Sequence, residues 1–264
     1  MVDDHARRKG WRAVHPGVYA LTHAPLTRHQ RWTAATLTAP ATFLSHASAA
    51  CWGIRAFDAS WETVTRPGSG GSRRFGDVLV SHSRTLTGNV TARDGIAITT
   101  AARTLIDLAP HLTVYALARA FRETLRLRVT TGPDVHAAIS RHRGRRGIAA
   151  LVDLACRYAH LPHFRTRSNA EARTLEILHD AGVEPPLVNG RIAGEEADLA
   201  WRRSRRIIEI DGPEYHRFPD EDARKQAVWE SAGYAVRRIE SGLIYDHPER
   251  LLALVPPNVR NTTL

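Results

Sequence analysis

The stretch EADLAWRRSRRIIEIDG, residues 196–212, consists of two β-type runs joined by a short basic turn, with four carboxylates at the far ends of its arms. A turn centred on Arg203 and Ser204 places Asp198 opposite Glu209 and Glu196 opposite Asp211, because side chains alternate between the faces of a strand. All four acids then share one face with Ala200 and Ile207. Ala197, Leu199, Trp201, Ile208 and Ile210 take the other face, which becomes the core side. Like charges directly opposite on a sheet are destabilising. Carboxylates brought this close either gain a raised pKa or need a cation, and Mg²⁺ meets that need with one or two carboxylates plus waters and phosphate oxygens. The competing structural reading is a solvated acidic tip paired with Arg202, Arg203, Arg205 and Arg206. Those arginines sit at the turn end, away from the acids.

The order of elements around the hairpin is equally readable. Residues 168–180 read as a helix ended by Ala181 and Gly182. Strands are expected near 185–189, 195–200 and 206–211. A loop holding His216 leads to a helix at 220–232, stopped by Gly233. YAVRRIE, residues 234–240, is a further strand, and a terminal helix runs to about Val255. The order is αβββαβ. Ser168, Asn169, Ala170 and Glu171 carry the spacing of a capping box.

An acid on a first helix, then Asp, then Glu-x-Asp within an αβββαβ order resembles the PD-(D/E)xK nuclease superfamily. EIDGPEYH followed by DEDARKQAVWESAGYAVRRIE is similar to its branch of very-short-patch (Vsr-like) endonucleases. The resemblance covers about residues 165–255. It implies that Asp198 and Glu209 bind the metal, Mg²⁺ or Mn²⁺, with the Ile210 carbonyl as a further ligand, and that Glu171 is the helix acid. Asp211 stands where the motif has Lys. Vsr-like proteins also lack that Lys and place a His nearby, which makes His216 the candidate for proton transfer or for orienting phosphate. Lys225 could supply a relocated ammonium, and Arg224 could anchor a carboxylate or phosphate. The zinc site of mismatch-specific relatives has no matching cysteines here, so mismatch recognition does not carry over.

The front half reads differently. KGWRAVHPGVYALT, residues 9–22, suggests two short strands about a His-Pro-Gly turn, and residues 25–38 turn helical. LSHASAACWGI, residues 44–54, suggests a short helix with Ser45 as N-cap. WETVTRP and DVLVSHS read as strands flanking a flexible excursion, GSGGSRRFG. GIAITTAARTLIDLA reads as a strand entering a helix, and helices follow near 112–127, 132–142 and 147–159. GWRAVHPGVYAL, LSHASAACWGI and GIAITTAARTLIDLA resemble segments of AbiEi-type antitoxin and regulator proteins. That resemblance makes the first strands the wing of a winged-helix unit and implies a cognate toxin as a partner. The expectation is an α+β chain, with an N-terminal mixed α/β region followed by an αβββαβ restriction-endonuclease-like domain. Its parts are a wing-like segment at 1–24, an antitoxin-like α+β region at 25–162 and a Vsr-like domain at 165–264, with Leu161 closing the region before the boundary.

Composition bounds the partners. Lys plus Arg total 37 against 27 Asp plus Glu, a formal net charge of +10, and Lys9 and Lys225 are the only lysines. Arg in such excess favours a polyanion, because guanidinium matches phosphate and phosphate contacts release counterions. DNA is the expected partner, and nothing in the sequence separates DNA from RNA. Cys51 and Cys156 form neither a disulfide framework nor a zinc-ligand spacing. The N-terminal residues lack the apolar run of a signal peptide, and no apolar stretch reaches the length of a membrane span. A cytoplasmic, membrane-free protein is expected. Two readings follow. One is a Mg²⁺-dependent endonuclease hydrolysing DNA phosphodiesters. The other is a non-catalytic DNA-binding regulator or antitoxin built on a nuclease-like scaffold.

Overall fold

The computed structural model describes residues 8–46, 52–54, 62–212 and 219–260. The chain is of the α+β class and divides into two units, Met1–Ala159 and His160–Leu264. Leu161, expected to close the preceding region, packs against the core of the second unit. No helix among the described residues is long and apolar enough to cross a membrane.

The first unit opens with the expected hairpin. Strands β1 (Arg12–His15) and β2 (Val18–Ala20) pair antiparallel, and Gly17, at φ 75°, occupies the left-handed turn position. Helix α1 (Arg28–Thr36) starts at a full capping box between Thr27 and Gln30. A six-stranded sheet follows, built from β3 (Phe43–Leu44), β4 (Glu62–Pro67), β5 (Arg73–Phe75), β6 (Val78–Ser83), β7 (Val90–Arg93) and β8 (Ile96–Thr99), in the order β5-β6-β4-β3-β8-β7. Two expectations change here. Leu44 pairs as a strand instead of opening a helix, and Ser45 Oγ bonds Thr65 Oγ1 at 2.7 Å; residues 47–51 lie outside the described residues. GSGGSRRFG is not all excursion. Its Arg73–Phe75 segment turns back at Gly76 and adds an edge strand to β6. Strand β8 enters helix α2 (Ala101–Leu108), as read from sequence, and α3 (Val114–Arg126), α4 (Gly132–Arg141) and α5 (Ile148–Tyr158) complete the unit.

One buried charge ties this unit together. Arg103 and Asp107 lie one helical turn apart on α2, and each is about 1% exposed. Arg103 Nε donates to both Asp107 oxygens, at 2.9 and 3.0 Å. Its Nη1 reaches the Thr85 carbonyl at 2.6 Å, its Nη2 reaches Ser83 Oγ at 2.9 Å, and His142 Nε2 lies 3.3 Å from Nη1. A guanidinium spread over α2, the end of β6 and the end of α4 behaves as a staple, because any element that leaves strands part of the charge.

The second unit follows the order read from sequence. Helix α6 (Asn169–Asp180) precedes β9 (Leu187–Ile192), β10 (Glu195–Trp201) and β11 (Arg206–Asp211), then α7 (Pro219–Ser231), β12 (Ala235–Glu240), α8 (Ser241–Asp246) and α9 (Pro248–Leu254). The sheet order is β12-β11-β10-β9, with β11 and β12 parallel and the other pairs antiparallel. Strand β9 runs past the expected end at Asn189. Ala193 and Gly194, both at positive φ, make the two-residue turn that sets Ile192 opposite Glu195.

Both faces of this sheet are covered. On one face Val188, Leu199, Trp201, Ile208 and Ile239 pack with Leu175, Leu178, Ile244 and Leu251 of the helices. On the other, a smaller cluster joins Ala197, Ala200, Ile207 and Val236 to Trp229 of α7. The acid-bearing face therefore has a core of its own, instead of being the open side of a one-sided sheet. Ala197, expected with Leu199, joins this smaller cluster.

Replacing Asp107 with Ala leaves Arg103 buried without its carboxylate. We expect a loss of about 3–5 kcal/mol in unfolding free energy, read from the urea midpoint of the first unit. A loss below about 1 kcal/mol would mean that the staple contributes no more than a surface pair.

Candidate active site

Strands β10 and β11 pair in the register expected from the turn, Trp201 with Arg206, Ala200 with Ile207 and Leu199 with Ile208. The turn closes through Arg205 N–H to the Arg202 carbonyl. The regular pairing ends at Leu199 and Ile208, and side chains take over one step further. Asp198 N–H donates to Glu209 Oε1 at 2.9 Å, and Ile210 N–H donates to Asp198 Oδ2 at 2.8 Å. Asp198 and Glu209 are thus cross-strand partners that hold each other's strand by its amides. Among the described residues, Asp198 Oδ1 and Glu209 Oε2 carry no hydrogen bond.

The acids at the margin are neutralised. Glu196 takes both Nη groups of Arg167. Glu195 bonds Arg224 at 2.7 Å, and Asp211 bonds Arg238, brought alongside by parallel β12, at 3.0 Å. Lys225 on α7 pairs with Glu221 at 3.1 Å. No ion pair among the described residues joins Asp198 or Glu209 to a cation. The turn arginines Arg202, Arg203, Arg205 and Arg206 bond none of the four acids, so the solvated, salt-bridged tip is not what forms.

The electrostatics follow. Burial pushes the Asp198 carboxyl up to about 6, opposed by the Ile210 N–H and reinforced by Glu171, Asp211 and Glu196. Burial, then the charge of Asp198, pushes Glu209 up to about 8, with Arg238 pulling the other way. Asp211 is also raised by burial, against the pull of Arg238. The charge of Glu209 reaches Lys225, whose pKa is raised first by its bond to Glu221.

Glu171 joins the group from α6. Its backbone N–H caps onto Ser168 Oγ at 3.0 Å. The reciprocal half of a capping box is absent, because Glu171 Oε2 instead accepts from Arg167 N at 2.9 Å and Asn189 Nδ2 at 2.6 Å. The carboxylate is turned toward the sheet, and its charge is felt at Asp198. Asn189 is the residue that sequence reasoning missed. It sits at φ 45° within β9, and its amide bridges Glu171 to the Arg165 carbonyl. Asn is among the few residues that tolerate this backbone region, and an Asn inside a strand-like run was the available signal. Arg167 and Arg238 were missed as well. His216 lies outside the described residues.

The arrangement gathers Glu171, Asp198, Glu209 and Asp211, and no cation among the described residues pairs with the central two. Among the described residues no group of three or more His, Cys, Asp or Glu is disposed to hold a metal. The donor chemistry of the central pair does fit a hard divalent cation. It offers two carboxylates, each with one oxygen oriented by an amide and the other unbonded, and Mg²⁺ sites use one or two carboxylates completed by water.

Linkage gives the pH dependence its sign. Asp198 and Glu209 have folded pKa values above their unfolded values of 3.8 and 4.5, so the native state holds more protons between about pH 4 and 8. Their contribution to stability is therefore lost as pH rises through that window. In chelator, the second unit should lose at least about 2 kcal/mol between pH 5 and 8, and Glu209→Gln should remove most of that slope. A wild-type profile that is flat or rising would contradict the arrangement. Compared with family models, curated proteins and solved structures, the chain shows no match.

Proposed function

We propose that the second unit is a Mg²⁺-dependent phosphodiesterase acting on DNA, built on the restriction-endonuclease-like plan that its αβββαβ order resembles. One observation carries this reading. The outer acids of the hairpin are matched by arginines, whereas among the described residues no cation pairs with Asp198 or Glu209, which face each other. Two half-buried carboxylates with raised pKa values are costly to the fold, and such groups concentrate at functional sites. Asp198 and Glu209 would hold Mg²⁺ or Mn²⁺, and the Ile210 carbonyl would serve as a further ligand. Once bound, the ion supplies polarisation of a phosphate oxygen and activation of water. Glu171, fixed by Asn189 and the Arg167 amide, would complete the acid cluster from α6. Arg167, Arg224 and Arg238 hold the marginal acids in place through ion pairs. Lys225 is the ammonium placed to sense Glu209. The basic excess of the chain would hold the nucleic acid strand.

A second reading draws on Asp211. This residue stands where the motif has Lys, and Arg238 is committed to it. That substitution suits a non-catalytic DNA-binding regulator or antitoxin, with a cognate toxin as its partner and the nuclease-like unit as scaffold.

Nicking of supercoiled plasmid separates the two. With Mg²⁺ or Mn²⁺, wild type should nick, whereas Asp198→Ala and Glu209→Ala should each lose at least about 100-fold, the scale of removing a group that stabilises transition-state charge. In chelator both variants lose a like-charge contact but leave a half-buried N–H without its acceptor, so each should melt close to wild type. Mg²⁺ should raise the wild-type Tm more than either variant's, and more at pH 8 than at pH 6, since protons compete for the same oxygens. If wild type neither nicks nor gains stability from Mg²⁺, yet shifts duplex DNA with steep salt dependence, the regulator reading replaces the enzyme.

A further inference from the structure

The first unit carries a charge that no carboxylate among its described residues matches. Arg66, near the end of β4, is half-buried. Its Nε donates to Thr42 Oγ1 at 3.1 Å and its Nη2 to Thr38 Oγ1 at 3.0 Å. Both acceptors are neutral hydroxyls, and among the described residues no carboxylate pairs with this guanidinium. The two bonds fix the plane of the group. They leave Nη1, with the second proton of Nη2, as a fork without a protein acceptor.

That side chain lines a cavity of about 170 Å³, together with Pro16, Phe75, Val78, Val80 and His15. Val78 and Val80 are buried, whereas Phe75 is 48% exposed. Burial lowers the His15 pKa, against the pull of Asp77, so at neutral pH the imidazole adds no second charge. The site is therefore an oriented cation in an apolar recess with an aromatic wall, the Phe75 ring, which also carries the Arg73 guanidinium at 5.4 Å. An apolar cavity of about 150 Å³ accommodates a benzene ring, which sets the size of a fitting body. A guanidinium fork matches the geometry of a carboxylate.

From this geometry we infer that the first unit binds a small organic anion, a carboxylate on a planar or compact apolar body of benzoate size, with its head on Arg66 and its body against Phe75 and the valines. The site does not depend on the acids of the second unit, so it stands or falls independently of the proposed nuclease.

Benzoate is the probe, and its neutral isostere benzamide is the control, in calorimetric titration of the full chain at pH 7. Benzoate should bind at least about tenfold more tightly than benzamide, and Arg66→Met should remove that preference. Phe75→Ala, at an exposed position that leaves the fold intact, should weaken benzoate by about threefold to tenfold. Inorganic phosphate should bind more weakly than benzoate, because it lacks a body for the apolar walls. The inference is overturned if benzoate gives no binding at 10-millimolar order, if benzamide equals it, or if phosphate matches it. It is also overturned if Phe75→Ala leaves benzoate affinity unchanged.

Discussion

The second unit depends on an exchange at the end of one strand pair. Where β10 and β11 cease regular pairing, the Asp198 and Glu209 carboxylates accept each strand's amide protons. Two charged groups thereby become structural, since removing either leaves a half-buried N–H without its acceptor. The rest of the unit is arranged around that fact. Helix α7 brings Trp229 onto the same face and takes the pair partly out of water. Parallel β12 brings Arg238 to Asp211, and α6 brings Glu171 with Asn189 as its brace. Burial raises the pKa of both carboxylates while the amides hold them in position.

Much of this was legible because the relevant code was local. The register of the hairpin follows from where its turn must lie, and strand alternation places Asp198 and Glu209 together without knowledge of the rest. The αβββαβ order followed from apolar runs, with Gly182 and Gly233 ending the helices. Long-range features were less visible. Trp229 lies on a helix whose apolar face is weakly patterned, so nothing local said that the acid face would be covered. Arg238 reads as one more arginine in a basic strand until parallel pairing sets Asp211 opposite Glu240 with Arg238 two residues back.

The first unit teaches the same lesson in reverse. GIAITTAARTLIDLA reads as a strand entering a helix, yet the helix's two charged residues are among its most buried. Arg103 and Asp107 stand four apart, a spacing common to surface ion pairs and buried ones. Partners distant in sequence distinguish them: the hydroxyls and carbonyl of residues 83–85, His142 and Arg145. Glycine-rich composition misled in a similar way. The loop after β4 is polar and flexible in composition, but its Arg73–Phe75 segment finds an open strand edge at β6.

The parallel pairing of β11 with β12 has a consequence for assembly. The β10–β11 hairpin is joined by a short turn and can close at once, whereas β12 arrives only after the α7 crossover. Until then β11 is an unprotected edge, the kind of surface on which another chain can add a strand. Charged residues on an edge strand discourage that addition, and Glu209 and Asp211 lie on this one. The same two carboxylates thus act as gatekeepers for the unfinished chain, keeping nascent copies from pairing with one another before β12 docks.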